Sequence, residues 1–551
     1  MDKKNAHWAD ETADKIIREK GEKDLYTCAS GITPSGTVHI GNFREIISVD
    51  LVVRALRDKG KNIRFIYSWD DYDVFRKVPL NMPTRGELEK YLRFPITMVP
   101  DPWGRDESYA RHHEVDVETM LPAVGIHPEF LYQAKNYWAS KYAGEIRRAL
   151  EHKDALKTIL DKFRDDEHKI QGQWWPVNVF CDGCNRDDTD IDGWDGEWKL
   201  AYHCNACGHK EEVDIRGAKG VKLGWRVDWP MRWKYERVDF EPAGKDHHSQ
   251  GGSFDTARHV CKDVYEWEAP VTFRYDFIGI KGSAGKMSSS SGKVVNLEDL
   301  LKVYTPEIAR YLFAGTRPNT EFTISFDLDV IKIYEDYDRT ERIAWKTEKA
   351  KDQAAYEKER RIYELSQVTT GDDGRTVMPG VMPYQIPFRH LCNLIQIADG
   401  DIDKTVADLQ KNAAGPAGDQ LPGLFARCRC AKYWVEECAP DEFRFRLRKP
   451  GAAGVSSSGG DAETGSPALS GKELAGIRLL RDRVVAKIGE FADDKACAQA
   501  VYQAAEEAGL EGKELFRAAY QALIGKDQGP RLANFIRSIE QNRLMEILAG
   551  Y

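Results

Sequence analysis

The sequence predicts an α/β protein in which a parallel sheet carries an insertion and is followed by an all-α C-terminal region. A strand–helix–strand pattern over residues 25–69 is typical of a βαβ unit in a parallel sheet. Two Cys-x-x-Cys motifs lie between two stretches of sheet pattern and mark the insertion. Residues 380–551 show helical spacing of apolar residues without strand-like alternation, which predicts helices alone.

The composition narrows the possible functions. The 551-residue chain has a net charge of −9, so any RNA contact must use local basic patches. Residues 1–24 are too charged for a signal peptide, and no run of about 18 apolar residues occurs, so we expect no membrane segment. Eleven cysteines, four of them clustered, fit a reducing compartment and a metal site. We therefore expect a cytoplasmic protein.

The first elements follow from local patterns. Residues 6–20 predict a helix, and Leu25–Ala29 predict a short buried strand. A loop rich in glycine and proline at 31–36 leads into an amphipathic helix at 38–59. Residues 62–69 then predict the second strand, which completes the βαβ unit.

Changes in composition divide the rest of the chain. The sheet pattern breaks near residue 90 and resumes near Gly224, and residues 330–365 predict a highly charged helical stretch. Residues 451–470 are rich in Gly, Ser and Ala, which predicts a flexible segment. We predict five parts: 1–90, the first half of the sheet domain; 91–220, the insertion; 221–295, the second half of the sheet domain; 296–375, a linker domain; and 376–551, a helical domain.

Several loops are predicted to meet at one edge of the sheet. Ligands in parallel sheets bind at the carboxyl ends of the strands. The loop at 31–36, the pair Asp70-Asp71 and the loop after 271–280 all lie at such ends. The chain contains neither a Walker A motif nor a Gly-x-Gly-x-x-Gly motif, so its phosphate contacts must differ from both.

The segment His39-Ile40-Gly41-Asn42 begins the predicted helix at 38–59. Backbone N–H groups at a helix N-terminus suit a phosphate. His39 could donate a hydrogen bond to phosphate, and Gly41 would let a flat adenine approach the backbone. The alternative is a polar helix start after a glycine turn.

A second loop, Lys286-Met287-Ser288-Ser289-Ser290, is flanked by glycines and carries small hydroxyl residues. Such a loop is expected to be mobile, and Lys286 could neutralise charge that develops on a pyrophosphate leaving group. The alternative is a flexible linker, which would not need lysines at both ends.

The four clustered cysteines are predicted to bind a structural zinc ion. Two Cys-x-x-Cys motifs at this spacing fit a tetrahedral Cys₄ site with no open position for catalysis. His203 or His209 could replace one ligand. The predicted ligands are Cys181, Cys184, Cys204 and Cys207.

The two loops resemble the HIGH and KMSKS signatures of class I aminoacyl-tRNA synthetases. The second histidine of HIGH is Asn42 here, and the second lysine of KMSKS is Ser289. With the zinc motifs and the segments Trp225–Trp233 and Glu241–His248, residues 25–330 most resemble class I lysyl-tRNA synthetases. The helical C-terminus is similar, more weakly, to the anticodon-binding bundle of that family and of its glutamyl relatives.

The resemblance implies a class I Rossmann domain, a stem-contact linker at 296–375 and an anticodon-binding domain at 376–551. It implies activation of L-lysine with ATP and Mg²⁺, then transfer of lysine to tRNA(Lys), with release of AMP and pyrophosphate. The expected catalytic residues are His39, Asn42, Lys286, Ser288 and Ser289. The expected ATP contacts are Thr33, Pro34, Ser35, Gly36, His39, Gly41, Asn42, Lys286 and Met287.

Lysine recognition is predicted partly from the resemblance and partly from charge. An ammonium group needs carboxylates and aromatic faces. Glu45 and Asp70 lie near the predicted ATP loop, although a helix surface charge and a solvated strand end are the simpler explanations. The predicted lysine contacts are Gly31, Thr33, Glu45, Asp70, Trp225, His247 and Tyr275.

Other interpretations stay open from the sequence. A glutamyl-type class I synthetase has a similar pattern, and a zinc-containing RNA-binding paralogue could have lost catalysis. Basic and aromatic residues alternate at 427–434 and 444–449, which would suit anticodon bases. Amphipathic bundle helices explain these patches equally well. We expect a monomer.

Overall fold

The structure is a computed structural model that describes residues 7–80, 82–282, 294–411, 415–450 and 469–551. The predicted loop at 286–290, with Lys286, Met287, Ser288 and Ser289, lies outside the described residues, as does nearly all of 451–470. The chain forms two compact units. The first unit contains residues 1–324 and 339–380, and the second contains 325–338 and 381–551.

Short helices surround the sheets of the first unit. They are α1 (Trp8–Lys20), α2 (Ile40–Asp58), α3 (Arg85–Leu88), α4 (Tyr109–Met120), α5 (Gln133–Trp138), α6 (Ala143–Glu151), α7 (Lys153–Lys162), α8 (Trp225–Tyr235), α9 (Ser253–Asp263), α10 (Leu297–Val303), α11 (Pro306–Ala314), α12 (Asp329–Ala344, which begins in the second unit) and α13 (Gln353–Ser366).

The strands form one larger sheet and several small ones. They are β1 (Tyr26–Ile32), β2 (Ile63–Trp69), β3 (Glu129–Tyr132), β4 (Val177–Val179), β5 (Thr189–Trp194), β6 (Lys199–Cys204), β7 (Lys210–Asp214), β8 (Val221–Leu223), β9 (Val238–Phe240), β10 (Ala243–Gly244), β11 (Arg274–Tyr275), β12 (Ile278–Ile280) and β13 (Phe322–Ile324).

The larger sheet has the parallel topology that the βαβ pattern predicts. Its strand order is β3-β2-β1-β9, and all neighbours run parallel. The chain proceeds outward from β1 to β2 and β3 and then returns to the other side of β1 with β9. This reversal between β1 and β9 is the topological switch point at which such sheets bind ligands.

One strand of this sheet comes from an unexpected place. β3 pairs with β2 but lies within 91–220, the segment predicted to interrupt the sheet. Part of that segment therefore belongs to the sheet itself. The rest contains the antiparallel β5-β6-β7 sheet around the clustered cysteines. The exact boundaries of the five predicted parts stay a prediction.

The helix α2 is buried on nearly every side and contains charged residues that have no access to water. The carboxylate oxygen Oδ2 of Asp50 lies 2.9 Å from Arg54 Nε and 2.7 Å from Arg310 Nη2. Arg54 also donates to the carbonyls of Gly125 and Gln367, and Arg310 donates to that of Val124. These bonds tie α2 to α11, to the turn after α4 and to the C-terminal end of α13.

The second unit is helical throughout its described residues. Its helices after α12 are α14 (Phe388–Ile397), α15 (Ile402–Gln410), α16 (Leu421–Tyr433), α17 (Gly471–Leu479), α18 (Asp494–Glu507), α19 (Gly512–Ile524), α20 (Leu532–Arg537) and α21 (Gln541–Leu548). Side chains of α17 to α21, most of them small or aliphatic, form a buried cluster in this unit. Every helix in the described part of the chain is too short or too polar to cross a bilayer.

We predict that Arg310→Ala lowers the free energy of unfolding of the first unit by about 3–5 kcal/mol, since it leaves Asp50 with one buried partner fewer. Trp434 is the one tryptophan in the sequence of the second unit, so tryptophan fluorescence during urea unfolding reports mainly on the first. The control is Arg18→Ala, whose side chain is 66% exposed, with an expected change below about 0.5 kcal/mol. If both variants unfold at the same urea concentration, the ion pair of Arg310 with Asp50 does not stabilise the first unit as predicted.

Candidate active site

A cavity opens at the carboxyl end of the sheet, at the switch point between β1 and β9. Its volume is about 660 Å³ when the space at its mouth is included. Residues from four parallel strand ends contribute to its wall, together with α2 and α8. The polar residues of this wall are Ser30, Glu45, Ser68, Asp70, Gln133, Arg232, Glu236, Glu241 and His247.

Glu45 lies on the first turns of α2 and points back toward the end of β1. Its Oε1 accepts hydrogen bonds from the Ser30 hydroxyl at 2.8 Å and from the Gly31 N–H at 3.1 Å. Its Oε2 accepts one from the Tyr275 hydroxyl at 2.5 Å. Burial raises the pKa of Glu45, although these three donors oppose the rise. All three partners are neutral.

The strands β1 and β2 approach each other so closely at position 31 that only glycine fits there. A Cβ atom at this position would lie 2.7 Å from the carbonyl oxygen of Ser68. Any side chain would therefore push β1 and β2 apart at the floor of the cavity. The backbone N–H of Gly31 donates to Glu45 at the same place.

Asp70 follows β2 and is paired with an arginine from α8. Arg232 Nη1 lies 2.6 Å from Asp70 Oδ1, and Nη2 lies 3.2 Å from Oδ2. The same guanidinium contacts Asp228 through Nε at 3.1 Å and donates to the Ser68 hydroxyl. Asp70 is thus already neutralised, which weakens the case for its contact with a substrate ammonium.

Glu241 follows β9 and meets two tryptophans of α8. Its Oε1 accepts a hydrogen bond from the indole N–H of Trp229 at 3.0 Å, and its Oε2 accepts one from Trp233 at 2.6 Å. Burial is the main cause that raises the pKa of Glu241 to about 7. Glu241 belongs to the segment Glu241–His248 but was not among the predicted lysine contacts.

Aromatic rings form one wall of the cavity. The indoles of Trp225 and Trp229 stack with centroids 5.4 Å apart, one helical turn from each other. The imidazole of His247 lies 5.7 Å from Trp225, and its Nδ1 is 2.6 Å from the Ser253 hydroxyl. Such faces attract a cation.

The predicted ATP loop lies directly after β1 and ends at the N-terminus of α2. His39 is the N-cap residue of α2, and the Asn42 side chain accepts a hydrogen bond from the His39 N–H at 3.3 Å. Tyr109 donates to the Ser35 carbonyl at 2.9 Å. The Thr33 hydroxyl donates to Asp73, so it is turned away from the cavity. Pro34, Gly36 and Gly41 complete this loop and first turn.

The four predicted zinc ligands converge. Cys181 Sγ lies 3.7 Å from Cys207 Sγ, and Cys184 Sγ lies 3.6 Å from Cys204 Sγ. All four sulfur atoms lie within 4.8 Å of one another, so they could hold a metal ion. The nearby histidines are engaged elsewhere: His203 contacts Asp192, and His209 contacts Glu211.

The structure places most of the predicted lysine contacts around one cavity. Gly31, Glu45, Asp70, Trp225 and His247 line it, and Tyr275 adjoins it through Glu45, whereas Thr33 faces Asp73. Their roles in substrate binding stay predictions. Lining residues that the sequence analysis did not select include Ser30, Gln133, Trp229, Arg232 and Glu241. The local signals were the segment Trp225–Trp233, which contains Trp229 and Arg232, and the segment Glu241–His248, which begins with Glu241.

Comparisons with known proteins agree with this architecture. Residues 6–369 match the family described as tRNA synthetases class I (K). The chain is 54% identical to the lysine–tRNA ligase of Treponema pallidum over 100% of its length and 99% of the relative. It is 49% identical to that of Borreliella burgdorferi, with 100% of both chains covered, and 42% identical to that of Thermococcus kodakarensis, with 98% and 99% covered. The chain belongs to the class I lysyl-tRNA synthetase family.

Proposed function

We propose that this protein activates L-lysine with ATP to lysyl-adenylate and transfers the lysyl group to the terminal adenosine of tRNA(Lys). The observation that carries this proposal is the cavity beside the ATP loop, which combines carboxylates with an aromatic wall. That wall suits a cationic side chain. Relatives named lysine–tRNA ligase match the whole chain, so a glutamyl-type synthetase or a non-catalytic paralogue is not favoured.

Positioning and charge stabilisation account for the proposed chemistry. The carboxylate of lysine attacks the α-phosphorus of ATP, pyrophosphate leaves, and a ribose hydroxyl of tRNA later displaces AMP. No enzyme nucleophile is needed. The N-terminus of α2, with His39 and Asn42, is suited to bind the phosphates. Lys286 is proposed to stabilise the leaving pyrophosphate.

Two metal ions belong to this proposal. A tetrahedral zinc ion with bonds of about 2.3 Å separates its sulfur ligands by about 3.8 Å. The sulfur–sulfur distances of 3.6 and 3.7 Å support zinc in the cysteine cluster. Magnesium is proposed to enter with ATP, since this ion is usually held by substrate phosphates and water.

The binding of tRNA is proposed to use the helical C-terminal region. Within 427–434, Arg427 is buried and paired with Asp338, and the indole of Trp434 donates to the Phe326 carbonyl, so these two residues support packing. Arg446 and Lys449 are exposed and remain candidates for RNA contact. None of the eleven cysteines, all of which lie within the described residues, forms a disulfide, and this supports a cytoplasmic enzyme. The monomeric state stays a prediction.

We expect ATP–pyrophosphate exchange with lysine and with none of the other nineteen standard amino acids. The exchange is measured with and without total tRNA, because a tRNA requirement would couple activation to tRNA binding. Exchange with glutamate, or no exchange under either condition, would contradict the proposed function.

We predict that Lys286→Ala lowers the rate of lysine-dependent exchange by about 100-fold or more, because one cationic donor to the leaving group is lost. Affinity for tRNA, measured by filter binding, should change little. Lys262→Ala, an exposed lysine on α9, is the control and should retain the wild-type rate. A normal rate in Lys286→Ala would show that the loop has another role.

We predict one zinc ion per chain and its loss in Cys204→Ser, with a lower thermal midpoint, because a structural zinc site contributes folding free energy. Zinc is measured by mass spectrometry of the purified protein. Cys438→Ser, which lies outside the cluster, should retain the metal. Native protein without zinc would refute the assignment.

A further inference from the structure

Both ends of the segment that carries Lys286 are held by the first two turns of α2. Residues 283–293 lie outside the described part of the chain, but the residues on either side of them are described. The strand β12 leads into this segment, and Val295 follows it. The carbonyl of Val295 accepts a hydrogen bond from the Ile40 N–H at 2.8 Å, so the chain returns to α2 beside His39.

At the other end, the side chain of Arg44 holds the strand that leads into the segment. Arg44 lies in the second turn of α2 and is only 2% exposed. Its Nη1 donates to the carbonyls of Asp276 at 2.6 Å and Phe277 at 3.1 Å. Its Nη2 donates to the carbonyls of Arg317 at 3.1 Å and Thr320 at 2.7 Å. All four terminal N–H groups of the guanidinium are therefore used.

These carbonyls lie just before the start of two paired strands. Phe277 directly precedes β12, and Glu321 alone separates Thr320 from β13. The strands β12 and β13 are parallel neighbours, and the Lys281 N–H extends their ladder by donating to the Ile324 carbonyl at 2.9 Å. One guanidinium therefore fixes the beginnings of both strands relative to α2.

We propose that Arg44 is a positioning residue that sets the place of the Lys286 segment relative to the N-terminus of α2. This inference rests on the proposed function, in which both contact the phosphates of ATP. Adenylate formation needs these groups at fixed positions, and an error of about 1 Å in such a position can cost about 100-fold in rate. Arg44 does not touch ATP and acts through the two strands that it holds.

The chemistry of arginine suits this role. Within the described part of the chain, all hydrogen bonds of the Arg44 guanidinium go to backbone carbonyls, and its central carbon lies 5.2 Å from the ring centroid of Phe322. Burial lowers the pKa of Arg44 to about 10, which leaves the side chain charged at pH 7. The planar fork of arginine can join four backbone groups from two segments, so these contacts define the geometry of the backbone.

Three roles for Arg44 predict different kinetics. If Arg44 only supports packing, its loss lowers stability without a specific effect on the chemical step. If it acts on the amino-acid cavity through Tyr275, the neighbour of Asp276, its loss raises the KM for lysine. If it positions the Lys286 segment, its loss lowers kcat, and this effect disappears once the Lys286 side chain is absent.

The test is a double-mutant cycle with Arg44→Met and Lys286→Ala, measured as lysine-dependent ATP–pyrophosphate exchange with total tRNA present. We expect Arg44→Met to lower kcat about 30-fold and to leave the KM for lysine within about twofold. In the Lys286→Ala background, the same substitution should lower kcat by less than about threefold, because the cationic group that Arg44 positions is already gone.

Two further variants serve as controls. Arg57→Met removes another arginine of α2, which donates to the Gly374 carbonyl at 3.4 Å near the C-terminal end of the helix, and it should keep the wild-type kcat. Arg44→Lys keeps the charge but offers three N–H groups to four carbonyls, so we expect a smaller loss of kcat, about fivefold. Thermal midpoints are measured for every variant, and kcat is compared at a temperature where all are folded.

An equal loss of kcat from Arg44→Met in both backgrounds would overturn the proposal, as would an unchanged kcat or a rise in the KM for lysine alone. If Arg44→Met does not fold, the cycle is run with Arg44→Lys, whose loss should fall below about twofold in the Lys286→Ala background. Wild-type protein that fails to exchange with lysine would contradict the proposed function itself, whereas additive losses in the cycle would contradict this inference alone.

Discussion

The contact of Arg232 with Asp70 and Asp228 is the interaction on which the candidate site depends. It joins the end of β2 to the helix α8 and buries a guanidinium between two carboxylates. Because α8 supplies Trp225, Trp229 and Trp233, the orientation of the aromatic wall follows from this contact. Loss of either carboxylate would leave buried charge unbalanced and would free the helix to move.

The same contact explains why charge in the cavity is so unevenly distributed. Arg232 neutralises the carboxylate closest to it and is held there by Asp228 and the Ser68 hydroxyl. Glu241, which follows β9, accepts hydrogen bonds from two indole N–H groups and forms no ion pair among the described residues. The pocket therefore combines two ion-paired carboxylates, Asp70 and Glu236, with two, Glu45 and Glu241, that accept hydrogen bonds from neutral donors.

Much of the fold could be predicted because its signals are local. The βαβ unit shows apolar periodicity, and the cysteine motifs lie close enough in sequence to fix their own geometry. β3 was missed because Glu129–Tyr132 is a four-residue strand within a helical segment, and only its pairing with β2 defines it. Likewise, Arg427 and Trp434 looked like an RNA patch because their partners, Asp338 and the Phe326 carbonyl, are distant in sequence.

ATP binding and amino-acid selection, the two functions proposed for the site, also differ in how far they can be predicted from local sequence. The ATP loop is a contiguous motif whose groups are set by one strand end and the first turn of α2, so its chemistry is visible in the sequence. The cavity proposed for the amino acid is lined by side chains from β1, α2, α8 and the residues after β9, and no short motif contains them. Glu241 has no local signal of its own between Phe240 and Pro242, and its contacts with the indoles of Trp229 and Trp233 become visible only in the structure. A change of a few side chains on this wall could alter the amino acid without disturbing the ATP loop, which is how one fold can serve several substrates.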